Sequence, residues 1–472
     1  MRIEKETNRS MDTNNYRSAH LVGVCGSGMR ALGEVLMDHG CSISGSDLMS
    51  PNASIKRLID RGLVFHQGHS EANVSESTQL LIYSPAIPVE NVERRLAVRR
   101  SLLQQSYSQA VGELMKLSTG VCIAGTHGKS TTTAMVATIL EGCGRLSSVV
   151  MGAELCDGGR SGWSGTGDLF VAESCEFQHS FLDLNPKYSA ILTVEPDHFD
   201  CYADVESLQT AFCDFAGRTA SDGVLMVNSD CDISREVSDK ARTNAKRVSF
   251  GMNPMSDWQA AGLEQTKNGT RFRLEHQEKT VTEIDLAIHG QHNVWNGLAA
   301  AALCAEIGVS PDSIRDSLSK FHGIRRRFEF VGEFNGVTFI DDYAHHPTAV
   351  RITLKTLRQV MGTRRIRCVF QPHQIRRTME LMTDFASSFV HADEVLLAPV
   401  FAARESVADE PAVISRELAE RILSHGVPAQ FFSSLDQIVN TLDDAMRPGD
   451  VIVTMGAGDI DRIHHEFTRR IQ

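Results

Sequence analysis

The sequence predicts an α/β protein of three domains, each built on a mostly parallel sheet flanked by helices, and three observations predict it. The first is length: 472 residues exceed one ordinary hydrophobic core and suit about three domains. The second is a recurring pattern in which short apolar runs end in glycine-rich or charged turns, followed by helical periodicity. The third is the segment AGTHGKSTTT (124–133), where an apolar run leads through a glycine turn to Lys-Ser at a helix start.

Composition limits the function classes. Hydrophobic residues make up 42% and charged residues 22%, the balance of a soluble globular protein, and no apolar stretch is long enough to span a bilayer. The polar N-terminus has no signal-peptide core, so residues 1–17 are expected to form a disordered tail. A net charge of −12 argues against nucleic acid as a partner. Anionic ligands would need local basic clusters, for which Arg325-Arg326-Arg327 and Arg376-Arg377 are candidates. The 11 cysteines are odd in number, scattered and never spaced C-x-x-C, which suits reduced thiols in a cytoplasm.

The first segment, 18–116, opens with an expected strand His20–Val24 and a tight turn at Gly23, Gly26 and Gly28. A helix face of Met29, Leu32 and Leu36 follows, then a strand over 41–44 running into Gly45-Ser46-Asp47. This is a Rossmann-type pattern: a glycine turn admits a diphosphate, and an acidic residue about twenty positions on reaches a ribose hydroxyl. A nicotinamide dinucleotide remains an alternative ligand for this turn. A further strand begins LLIYSPAIP (80–88).

The second segment, 117–323, carries the phosphate loop. Val121–Ala124 form a strand, Gly125 and Gly128 free the backbone, and Lys129-Ser130 open a helix with an apolar stripe of Met135, Val136, Ile139 and Leu140. Backbone N–H groups and the helix N-terminus face an anion, Lys129 adds charge and the Ser130 hydroxyl reaches a Mg²⁺, as in an ATP site. Ile123 stands where the first glycine of a general P-loop would fall, which points to one particular branch. Strands 168–172 and 189–194 deliver Glu173, and then Glu195, Asp197 and His198, to the sheet edge where such folds bind ligands. A carboxylate there suits Mg²⁺. An alanine-rich helix starts near His292-Asn293.

The third segment, 324–472, has strands at 337–340, 367–370, 394–398 and 451–455, each emptying into a polar turn. They describe another doubly wound sheet, Rossmann-like in type.

Taken in order, GVCGSGM, GTHGKSTTT, HN, RRRFE, DDYAHHPT, FQPH and GAGD resemble the Mur ligases over about residues 20–460. Within that family they are most similar to the branch that joins L-alanine to the lactyl carboxylate of UDP-N-acetylmuramate. The resemblance implies a Rossmann-like domain for the UDP-sugar, a central P-loop ATPase-type domain and a C-terminal domain for the amino acid. It implies ATP and Mg²⁺ as cofactors, small-molecule substrates and no nucleic acid or membrane partner. A cytoplasmic monomer or weak homodimer is expected.

The resemblance also implies residue roles. Gly26, Ser27, Gly28, Met29, Asp47, His69 and Ser84 would hold the UDP-sugar. Gly125, Thr126, His127, Gly128, Lys129, Ser130, Thr131, Asn293, Arg327 and Asp342 would hold ATP, Asn293 at the adenine and Asp342 at the ribose. Ser130 and Glu173 would ligate one Mg²⁺ and His198 a second. His345, His373 and Arg377 would take the amino acid, with Lys129, His198, Arg327, His345 and His346 catalytic.

Four positions depart from the family pattern. Ser130 stands where Thr is more common, Tyr107 and Gln374 where arginines are, and Cys175 where an Asp is. Cys175 is not expected to be catalytic. Competing readings are a ligase that recycles a preformed tripeptide, a P-loop regulatory ATPase and a nicotinamide-dependent dehydrogenase. The last would leave Lys129-Ser130 without a role. Folylpolyglutamate synthetases lack the first domain.

Overall fold

Three sheets form in chain order, and the computed structural model describes residues 16–403, 405 and 410–469. Residues 1–15 of the expected tail lie outside the described residues, and Arg17 already donates its backbone N–H to Gln79 Oε1 at 2.7 Å. Among the described residues no helix is long and apolar enough to cross a membrane.

The first sheet is wholly parallel and runs Val64–Gln67, Ser42–Asp47, Ser18–Val22, Leu80–Tyr83, Leu103–Ser106 across its width. The order in which strands are added therefore reverses beside Ser18–Val22, the point at which such sheets open a ligand crevice. That strand stops at Val22, earlier than expected, because Gly23 turns the backbone at φ +85°. The second strand, expected over 41–44, runs on through Gly45, Ser46 and Asp47. Gly45 serves packing: a Cβ on it would lie 2.9 Å from Val24 Cβ, so the glycine lets the strand pass under the turn.

The central sheet has ten strands. Lys246–Gly251, Val224–Asn228, Tyr188–Ile191, Thr119–Ala124, Leu169–Glu173 and Leu146–Val150 lie parallel in that order. An antiparallel meander, Trp258–Thr266, Gly269–His276 and Lys279–Leu286, extends one side, a feature the α/β sequence pattern does not anticipate, and the short strand Gly162–Ser164 pairs antiparallel with Leu146–Val150 at the other edge. The third sheet runs Glu329–Phe334, Val337–Asp342, Val451–Met455, Ile366–Phe370, Glu394–Leu397, Ala429–Phe431, and its first strand is antiparallel.

Core packing divides these units unequally. One continuous cluster joins Leu21, Met29 and Leu32 of the first unit to Cys122, Ala124 and Ile191 of the second. Helix Ser27–Asp38 is wedged between the two, so even Glu34 is buried, accepting N–H groups from Ser161 at 3.0 Å and Gly162 at 2.6 Å. The described apolar clusters of the third unit stay within residues 328–467. The third unit thus meets the others chiefly through polar contacts, such as the Arg377–Asp197 pair and the Thr348–Glu195 bond.

Candidate functional site

The phosphate loop takes its shape from two glycines. Gly125 sits at φ +137° and Gly128 at φ +80°, and a Cβ on Gly128 would come within 2.3 Å of Asn296 Oδ1. The loop is sewn to the neighbouring strand end: Thr126 N–H donates to Thr193 O at 2.6 Å, and Thr126 Oγ1 donates to Glu195 O at 3.0 Å. Helix Lys129–Gly142 then begins without a side-chain cap, leaving its first N–H groups for a ligand. Met135, Val136, Ile139 and Leu140 are buried as their spacing predicts, and Thr131 is buried in the first turn.

Lys129 Nζ bonds Gly125 O and lies 2.9 Å from Glu176 Oε2. Burial opposes its charge, but Glu176 outweighs that and holds its pKa above the usual value. Ser130 Oγ donates to Glu173 Oε1 at 2.8 Å, and Gly152 N–H holds the other oxygen at 2.6 Å. His198 Nε2 lies 3.6 Å from Glu176 Oε1, and its backbone is left-handed at φ +53°. Sequence alone does not single out Glu176. Its signal is the acidic stretch ESCEF (173–177), in which one carboxylate sits on each side of the departing Cys175.

The third unit meets this edge through Arg377, Thr348 and His346. Arg377 Nε donates to Asp197 Oδ1 at 2.6 Å, with both side chains at most 5% exposed. Burial works against the Asp197 charge, but Arg377, His198 and His345 hold its pKa well below normal. Glu195 Oε2 accepts from Thr348 Oγ1 at 2.8 Å and lies 3.2 Å from His127 Nε2 and 3.5 Å from His346 Nδ1. Burial raises the Glu195 pKa, but the bond from His127 leads the opposing effects and brings it to about 2. His346 also caps helix Pro347–Met361, accepting from Thr348 N–H, and burial takes its pKa down to about 4. Glu195 and Asp197, expected at the ligand edge of the sheet, are thus engaged with the third unit, and Thr348 is a partner that the sequence does not single out.

His345 and His373 face one another with ring centroids 6.1 Å apart, and Arg377 Nη1 reaches His373 O at 3.1 Å. Burial and then Arg377 push the His345 pKa well below normal. Its Nδ1 lies 2.8 Å from Tyr343 O. A carbonyl only accepts, so Nδ1 carries the proton and Nε2 is left with a lone pair.

At the hinge, Arg326 bonds Asp341 at 3.1 Å and Gly456 O at 2.8 Å, whereas the Arg327 guanidinium lies 5.0 Å from the Tyr343 ring centroid. Arg327 faces Asp342 and His292 and adds to the burial that takes His292 down to about 4. Asn293 is buried and donates to His289 O at 2.7 Å, and Asn296, one turn further along the helix, lies against the phosphate loop at Gly128. Asp342 is buried between N–H groups of Phe328 at 2.8 Å and Ala344 at 2.7 Å, and burial raises its pKa from 3.8 to about 6. The folded protein therefore binds this proton more tightly than the unfolded chain. The resulting stability is fully present below about 3.8 and lost as pH rises through about 6. The Tm of the wild type relative to Asp342→Asn is expected to fall between about pH 4 and pH 7. A difference that stays constant over this range would refute the assignment.

In the first unit, Gly26 and Ser27 are exposed at the start of helix Ser27–Asp38, while the Met29 side chain turns into the core. Asp47 is held by N–H groups of Cys25 at 2.9 Å and Met49 at 3.0 Å, which place its carboxylate at the glycine turn. Ser84 lies against Gly23, where a Cβ would come within 3.0 Å of it. His69 points inward, with Nδ1 at 3.0 Å from Ser46 Oγ and 3.3 Å from buried Glu93. A Cβ on Gly28 would come within 2.9 Å of the Tyr107 ring, so the aromatic side chain fills the space beside this helix start.

Comparison with known proteins agrees with this layout. The Mur ligase family, catalytic domain, matches residues 18–119, the Mur ligase middle domain residues 123–304, and the Mur ligase, glutamate ligase domain, residues 326–458. The chain is 36% identical over 460 residues to the UDP-N-acetylmuramate–L-alanine ligase of Chlorobium phaeobacteroides (strain BS1), covering 97% of this chain and 98% of the relative. It is 36% identical over 446 residues to the enzyme of that name from Desulfitobacterium hafniense (strain Y51), covering 94% and 98%. Among solved structures it is similar to the UDP-N-acetylmuramate-alanine ligase of Thermotoga maritima, with TM-score 0.82, 25% identity, and 96% and 99% coverage. The fold is also that of a murein peptide ligase from Psychrobacter arcticus, with TM-score 0.72, 24% identity, and 96% and 98% coverage. A glycine-turn unit packed onto a phosphate-loop unit, closed by a third unit bearing histidines and arginine, recurs here with sequence identity along nearly the whole chain, and the protein belongs to the Mur ligase family.

Proposed function

We propose that the chain joins L-alanine to the lactyl carboxylate of UDP-N-acetylmuramate, with ATP converted to ADP and phosphate, in peptidoglycan precursor synthesis. The observation that carries this reading is the Arg377–Asp197 pair, which brings Arg377, with His345 and His373 beside it, to the strand end that carries His198, next to Glu176 and Lys129. The names of the full-length relatives supply the substrates. The division 18–116, 117–323 and 324–472, a cytoplasmic location and a monomeric or weakly dimeric state belong to the same reading.

A free carboxylate is a poor electrophile, so it first attacks the γ-phosphorus of ATP, releasing ADP and forming an acyl phosphate. The alanine amine then attacks the carbonyl carbon, and the tetrahedral intermediate collapses with loss of phosphate. Lys129 stabilises charge on the transferring phosphoryl group. The lone pair on His345 Nε2 suits it to take the amine proton, and Arg377 offers positive charge to the anionic substrates. Arg327 approaches the terminal phosphates from the hinge. In the first unit, the glycine turn of Gly26, Ser27 and Gly28 receives the diphosphate, with Asp47 at the ribose.

The donors present fit Mg²⁺: a hydroxyl and a carboxylate oxygen 2.8 Å apart, both hard ligands, at Ser130 and Glu173, while His198 would hold a second ion. When bound, Mg²⁺ neutralises phosphate charge. Ser130→Ala is expected chiefly to raise the Mg²⁺ concentration needed for half-maximal rate, read from a Mg²⁺ titration at saturating ATP. An unchanged titration midpoint would remove Ser130 from the metal site.

ADP release is the direct test. It is expected only when UDP-N-acetylmuramate, ATP, Mg²⁺ and L-alanine are all present, with glycine and L-serine weaker, since one methyl group is worth about 1–3 kcal/mol. ADP release with a tripeptide and none with L-alanine would move the chain to the recycling branch.

A further inference from the structure

We propose that Cys175, Glu176 and His198 form a binding site for a thiophilic divalent cation such as Zn²⁺, and that its occupation switches the ligase off. The inhibitory part rests on the function proposed above; the binding part does not. One ligand atom from each of the three residues lies within 4.8 Å of the others. Bonds of about 2.3 Å to thiolate and about 2.0–2.2 Å to imidazole and carboxylate need only slightly smaller separations, within reach of small side-chain rotations.

The donor set decides which ion is favoured. Mg²⁺ prefers oxygen, whereas thiolate and imidazole select Zn²⁺ and its neighbours. Two of the three ligands are strongly positioned. Glu176 is buried, with the Tyr202 hydroxyl donating to its backbone oxygen at 2.5 Å. The His198 ring lies 5.3 Å from Phe177, on a backbone held at φ +53°. Cys175 is half-buried, so its thiol is not sealed in the core.

Uptake is balanced in charge and atoms. The thiol proton leaves to solvent as the metal–sulfur bond forms, and thiolate plus carboxylate neutralise the ion. Two functional groups are lost: Glu176 leaves Lys129, its partner at 2.9 Å, and His198 leaves the phosphate-facing edge. The other histidine–carboxylate group, His127, Glu195 and His346, has no sulfur and so does not favour a thiophilic ion.

The test uses the full chain without nucleotide, titrated with Co²⁺ in excess Mg²⁺. One equivalent is expected to produce a sulfur-to-cobalt charge-transfer band in the near ultraviolet, which Zn²⁺ then bleaches. The band should vanish in Cys175→Ala and persist in Cys201→Ser, which alters the next cysteine along the chain. No band, or the same band in Cys175→Ala, overturns the site. In the ADP assay, micromolar Zn²⁺ is expected to cut the wild-type rate at least tenfold, reversibly with chelator, and the Cys175→Ala rate by less than twofold. Equal inhibition of both proteins overturns the switch. A cobalt band in a protein that releases no ADP with any amine substrate would instead sink the ligase reading and leave the metal site standing.

Discussion

Lys129→Ala is expected to lower kcat by at least about a hundredfold at saturating ATP, the scale seen when one preorganised stabiliser of transition-state charge is removed. The structure adds a second consequence. Glu176 is buried against the Lys129 ammonium at 2.9 Å, so truncation leaves a carboxylate without its cation. Breaking a buried pair from one side costs about 3–5 kcal/mol, so Tm should fall as well. The two effects separate in Lys129→Ala/Glu176→Gln, where Tm should recover and turnover should not. Normal turnover of Lys129→Ala at saturating ATP would show that the loop does not handle the reacting phosphate. Recovery of turnover in the double variant would make Lys129 a structural partner of Glu176 only.

Asp197→Asn is expected to reduce kcat/KM by two to three orders of magnitude while leaving Tm almost unchanged. Asp197 and Arg377 form a buried pair at 2.6 Å across the join between the central and third units. Each unit keeps its own apolar clusters, so folding does not depend on the pair. The closed arrangement does, because the unpaired guanidinium is hydrated when the units part and stranded when they meet. A cost of about 3–5 kcal/mol, at 1.4 kcal/mol per factor of ten, gives that loss. Closure also keeps water from the acyl phosphate, so uncoupled ADP release without alanine should rise. Small-angle scattering should show a larger radius of gyration. A full-rate variant with the wild-type scattering curve would mean that the pair does not control closure.

The sequence by itself determined the α/β class, the phosphate loop and the order of the chemistry-bearing segments. These depend on local rules. Glycines at 125 and 128 are needed wherever the backbone turns left-handed, and Lys129-Ser130 follow the turn whatever lies elsewhere. The buried stripe of helix Lys129–Gly142 repeats with the helical period. The family's motifs are likewise short runs, legible without knowing what they touch.

Only the tertiary structure decided what pairs with what. Nothing local announces that Glu176 holds Lys129, that Asp197 takes Arg377 from 180 residues away, or that Glu195 gathers His127, Thr348 and His346. Strand length at Ser42–Asp47 also escaped local reading, because Gly45 is there to clear Val24. The meander at 258–286 joins a sheet whose sequence pattern is otherwise parallel, and helix Ser27–Asp38 is buried on both sides because a second unit covers its outer face. Periodicity reports which face of an element is apolar. It carries no information about which distant element supplies the opposite charge, and in this protein those long-range pairs assemble the cleft.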